Sequence, residues 1–309
     1  MADQSNDGTD TPSSRNYSKS EFHPSYSDPE ADIVLQSGDD VQFRVHSLIM
    51  KMASGFFRDM LGLPGNPDGE EPIVMKEKAD IIVALLDIIH PNVALPKIRP
   101  ELIWDVVATA DRYDMPRAIE TMSHIVAFNA GQLDPIMTYS LACRYGWEEV
   151  AKATSATTLD INLSTLDESQ LSMMDGRSLF RLQNLHRTRR DKLFELMDIK
   201  VTRDSPCSHV VFYHCVRETK VEHVNQCCID RAISPLWILM KQSVFKEMEA
   251  FPSGRPLYDD NFWHRREFGG LWSSGFGGCC SGHCFVFDRL NTKTEVLRVL
   301  NSENLPKTI

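Results

Sequence analysis

Seven of the eight cysteines lie between Cys207 and Cys284, mixed with His209, His214 and His283. Thiolates and imidazoles are the donors that zinc selects, four to an ion, usually as two close pairs from separate loops. One pair comes from Cys207 with His209, or from Cys215. The other comes from Cys280 and Cys284, with Cys279 and His283 as alternatives. Gly275, Gly277, Gly278 and Gly282 leave the backbone free to fold tightly around an ion. The predicted ligands of a structural zinc are Cys207, Cys215, Cys280 and Cys284. Neither pair has the C-x-x-C spacing of a strong zinc signature, and burial as small apolar side chains is the competing reading.

Three other constellations invite chemistry. His46 stands beside Ser47 and near Asp32 in sequence, but a Ser-His-Asp relay is defined by geometry, and Ser47 stands where a helix cap is needed. Cys143 falls in an amphipathic helical run where Arg144, its cationic neighbour, points to another face, so a buried core thiol is expected. From Arg177 to Arg203 there are eight basic and three acidic side chains. No zinc finger, basic zipper or similar motif accompanies them. A solvated helix face is expected, with an acidic partner surface as the second reading. The C-terminal glycines match no phosphate loop or dinucleotide fingerprint, and there is no kinase, hydrolase or metalloprotease motif. The chain is therefore expected not to be an enzyme; an activity in the C-terminal half would have no motif behind it.

The elements that must position these residues begin at Ala31. Ile33, Val34 and Leu35 form a short apolar run, Gly38 to Asp40 supply turn chemistry, and Val41, Phe43 and Val45 alternate with polar residues as in a half-buried strand. Ser47 and Ser54 each precede a short helical run whose free amides their hydroxyls can cap. Residues 71–75 predict a further short strand. Asp80 is a plausible cap for a helix whose Ile81, Ile82, Leu85, Leu86 and Ile89 form one stripe, stopped by Pro91. Pro100 opens the next helix, and Pro116 to Asn129 form another.

This order of elements resembles the BTB/POZ domain. The resemblance is carried by Asp32, Phe43, His46 and the SGFF at Ser54 to Phe57, and downstream by the ATADRYDM that includes Ala110 and Tyr113. It implies an α+β fold, a short sheet flanked by helices, acting as a protein-interaction module without chemistry of its own. It also implies self-association, and in some members recruitment of a cullin scaffold so that the rest of the chain presents substrates for ubiquitin transfer. The residues expected to meet partners are Phe56, Phe57, Met60 and Leu61. The loop LGLPGNPDGEE lacks the hydrophobic-x-Glu triplet common in cullin-binding members. The second reading is a nuclear regulator dimerised by the same domain. The helical extension and Cys-rich end make the chain similar to a group of BTB proteins common in fungal genomes.

The expected organisation is a disordered tail over 1–27, poor in aliphatic residues; the BTB unit over 28–129; a helical extension resembling BACK over 130–200; and a Cys/His-rich, mainly helical region over 201–309. Asp134-Pro135 and Gly146 read as helix start and stop, Gly176 to Asp198 as a long amphipathic helix, and Ser234 to Pro252 as another. A formal net charge of −10 argues against a dominant nucleic-acid surface. No run reaches the apolar length of a membrane helix. The start of the sequence lacks a secretory pattern, so an intracellular protein, cytoplasmic or nuclear, with reduced cysteines is expected.

Overall fold

The computed structural model describes residues 22–63, 71–91, 93–198, 235–273 and 288–309. They divide into two compact units, at His124 and Ile125.

In the first unit, β1 (Ile33–Gln36) pairs antiparallel with β2 (Gln42–Val45) and parallel with β3 (Ile73–Val74), giving the order β2-β1-β3. The register sets Ile33 opposite Val45 and Leu35 opposite Phe43, so the apolar members of both strands share the core face. Helices α1 (Ser47–Ala53), α2 (Gly55–Met60), α3 (Ala79–Ile89), α4 (Ile103–Arg112) and α5 (Pro116–Asn129) follow, the two units dividing within α5. Phe43, Phe57, Leu35, Met50, Ile82 and Met115 are among its fully buried side chains.

Local capping differs from the sequence reading at two helices. Ser47 does not cap α1: its amide and hydroxyl both donate to the Asp32 carboxylate, at 2.6 and 2.5 Å, so the cap comes from the residue before β1. Asp80 does not cap α3: the Ala79 amide donates to Asp39 Oδ1 at 2.8 Å, and Asp80 pairs with Arg99. Both substitutes are long-range, which sequence spacing does not reveal. Ser54 does cap α2, accepting from the Phe57 amide at 3.0 Å.

The last residues of the expected tail are also ordered. The His23 amide donates to Gln42 O and the Arg44 amide to Tyr26 O, each at 2.8 Å, so this segment runs along the outer edge of β2. Tyr26 is buried and its hydroxyl donates to Asp87 at 2.6 Å. Two backbone bonds to β2 and the buried Tyr26 side chain thus hold a segment that lacks aliphatic residues.

The second unit contains α6 (Pro135–Arg144), α7 (Glu148–Thr157), α8 (Glu168–Ser172), the long α9 (Gly176–Leu196), α10 (Pro235–Ala250) and α11 (Arg289–Asn301), with short helical turns between the last two. Asp134 caps α6 with Pro135 in its first turn, and Gly146, at φ 69°, ends it. Leu193 and Met197 of the α9 end share one core with Trp237, Met240 and Val244 of α10 and Val296 and Leu300 of α11. A boundary at residue 200 therefore falls within a common core. Arg189 fastens the same unit. It is 5% exposed, and its guanidinium donates to Pro252 O, Pro306 O and Leu300 O at 2.8–3.0 Å. Leu300 O is in the last turn of α11, where helices leave acceptors unsatisfied, and Pro252 and Pro306 lie in the segments that follow α10 and α11. Gly254 lies in the turn beyond α10 at φ 77°, where a Cβ would approach Leu300 to 2.4 Å.

Candidate interaction site

The two sequence motifs of the first unit meet in space. Ser54 Oγ donates to Tyr113 O at 2.5 Å while accepting from Phe57, and the Gly55 amide donates to Asp114 O at 2.9 Å. Asp114 adopts φ 48° as the residue closing α4, and a Cβ on Gly55 would strike its carboxylate. Tyr113 stacks obliquely on Phe57 and edge-on to Phe56, and its hydroxyl donates to Glu77 at 2.8 Å. Burial and that carboxylate push the Tyr113 phenol up to about 12. Glu77, itself buried, also pairs with Arg112. Ala110 is fully buried beneath. This network fixes where α2 sits against α4 and so what α2 can show to solvent.

That placement divides the residues expected to meet partners. Phe56 is 44% exposed and Met60 and Leu61 are half-buried, but Phe57 is fully buried and offers no surface. Phe57 belongs to the core, because the turn entering α2 points it inward beside Tyr113. Sequence reading missed the more exposed pair on α1. Leu48 is 68% exposed and Met52 81%, one helical turn apart on one face. Their signal was present as two apolar residues at i and i+4 opposite the buried Met50.

Ser47, His46 and Asp32 do not form a hydrolytic relay. His46 Nε2 faces Asp28 at 3.2 Å, whereas Asp32 is engaged by Ser47. Burial works against ionisation of Asp32, but the two bonds from Ser47 hold its carboxyl below the usual range.

In the second unit, Cys143 is half-buried in the wall of a cavity of about 440 Å³ between α6, α7 and the start of α9, a less enclosed place than the core position expected. The expected solvated basic face divides: Arg177, Arg181 and Arg187 are exposed, Arg190 is half-buried against Phe245 and Glu249, and Arg189 is the buried fastener. His186, also buried, contacts Thr158 Oγ1 at 3.1 Å. The Thr158 hydroxyl proton goes to Ser155 O at 2.6 Å, so the ring Nε2–H is the donor. Burial holds the His186 imidazole down at about 4.

Cys207, Cys215, Cys280 and Cys284, with their alternative partners, lie outside the described residues. Among the described residues there is no group of three or more His, Cys, Asp or Glu placed to hold a metal ion, and no helix is long and apolar enough to cross a membrane.

Residues 25–129 match the family model of the BTB/POZ domain. No curated protein matches the chain.

Proposed function

We propose that the chain, which carries a BTB/POZ domain over residues 25–129, self-associates through that domain and recruits protein partners. The observation behind this is the α1 face, where Leu48 and Met52 hold two large apolar side chains in solvent on a helix of the matched unit. Two large apolar side chains exposed side by side support that reading, because such surface is stabilised when a partner covers it. The reading assigns no catalytic role, and the Ser47, His46 and Asp32 arrangement supports none.

Light scattering of the full chain tests it. A dimer is expected at about 50 μM, converting to a folded monomer in Leu48→Glu/Met52→Glu, since neither side chain is in the core; the variant's melting temperature should fall only by what dimerisation contributes and no longer depend on concentration. A monomeric parent chain at that concentration overturns the reading.

Cullin recruitment is a narrower form of the same role. It would use Phe56, Met60 and Leu61, without the missing triplet. Titration of the full chain with a cullin N-terminal domain decides it: no binding at tens of micromolar, a range typical of weak specific pairs, removes that role. Salt-dependent DNA binding would favour the nuclear regulator instead.

A further inference from the structure

The exposed part of the basic segment has no role in that scheme. In its first two turns α9 presents Arg177, Phe180 and Arg181 to solvent, with Phe180 61% exposed. Arg190 and Lys192, further along, are consumed by Asp191, Glu249 and Glu195. Arg177, Arg181 and the exposed Lys152 of α7 form no ion pair among the described residues, and all three line the 440 Å³ cavity.

We propose that this face binds an acidic peptide segment, its carboxylates meeting Lys152, Arg177 and Arg181 while an apolar side chain rests on Phe180. Two arginines one turn apart can each hold a carboxylate through paired N–H donors. Asp175, also in the cavity wall, attracts Arg177 electrostatically but forms no ion pair with it among the described residues. Its carboxylate accepts the amides of Arg177 and Ser178 and the Ser178 hydroxyl, capping α9. Glu148 and Glu149, in the first turn of α7, do oppose an anion at the cavity. That opposition, with the net charge of −10, selects a peptide of a few separated carboxylates over a nucleic-acid backbone, which presents one charge at every phosphate. The inference rests on reading the chain as an interaction protein but concerns a surface distinct from the α1 face.

Fluorescence anisotropy of the full chain with a labelled peptide of alternating Glu and Leu tests it. Saturable binding is expected in the tens of micromolar, weakening at least about fivefold between 50 and 300 mM NaCl as screened contacts should. Arg177→Glu/Arg181→Glu should weaken it at least about tenfold through charge reversal, and Glu148→Gln/Glu149→Gln should tighten it. The Leu48→Glu/Met52→Glu chain should bind the peptide as the parent does, so failure of self-association and failure of this site are read separately. All the substituted positions are exposed, and melting curves confirm that each variant is folded. Absence of saturable binding, equal affinity in the arginine variant, or tighter binding of a single-stranded oligonucleotide overturns the proposal.

Discussion

Acidifying the protein from pH 7.5 to 5 should destabilise the second unit through His186. The ring is 8% exposed, and burial lowers its pKa from 6.5 to about 4. In the folded state it stays neutral, donating Nε2–H to Thr158, while in the unfolded chain it takes up a proton below pH 6.5. Folding stability from this residue is therefore complete above pH 6.5 and declines as pH falls toward 4, where the folded ring also protonates. Over the whole window a separation of that size corresponds to about 3 kcal/mol, of which about 2 kcal/mol is lost by pH 5. His186→Gln is the informative variant, because its side-chain amide can reach Thr158 as a donor and does not titrate. Urea unfolding of both chains at pH 7.5, 6 and 5 gives the comparison. The parent is expected to be the more stable at pH 7.5, and the difference should move by about 2 kcal/mol in favour of Gln by pH 5. Parallel pH profiles for the two chains would refute the reasoning, since every other titrating group is shared.

Arg189→Met should cost about 3–5 kcal/mol, because it leaves three backbone carbonyls without their donor, and Arg189→Lys should recover only part, lacking the planar fork; thermal unfolding of the full chain measures both. Phe57→Ala should cost about 3–5 kcal/mol and Phe56→Ala under about 1 kcal/mol, and similar losses for the two would contradict their different burial. Asp32→Ala should cost about 0.5–2 kcal/mol by removing the cap on α1. The folded-state pKa of Asp32 is lowered, so its contribution is present above the unfolded carboxylate pKa and fades as pH falls. A profile for Asp32→Ala parallel to the parent down to pH 3 would count against the cap. If Cys207, Cys215, Cys280 and Cys284 hold a structural zinc, elemental analysis should find about one zinc per chain and chelation should lower the melting temperature; a zinc-free folded chain excludes it.

The chain's local patterns decided most of the first unit. Alternation over Val41 to Val45, the apolar stripe of α3 and the motifs around Ser54 and Tyr113 each commit a short segment, because strand and helix periods are set by neighbouring residues. The same holds for Asp134-Pro135 and Gly146 in the second unit. What only the tertiary structure decided are partners distant in sequence. Asp32 rather than Ser47 caps α1, and Asp39 rather than Asp80 caps α3, because the β1–β2 hairpin returns those carboxylates to the helix starts. Phe56 and Phe57 are adjacent and both aromatic, yet the turn entering α2 sends one into solvent and the other into the core. Arg189 reads as one more charge in a basic run, and its role exists only because the chain at and beyond the ends of α10 and α11 brings backbone carbonyls beside it. Composition and spacing specify which groups a segment carries; the direction each faces, and what lies opposite it, is fixed only when distant segments pack.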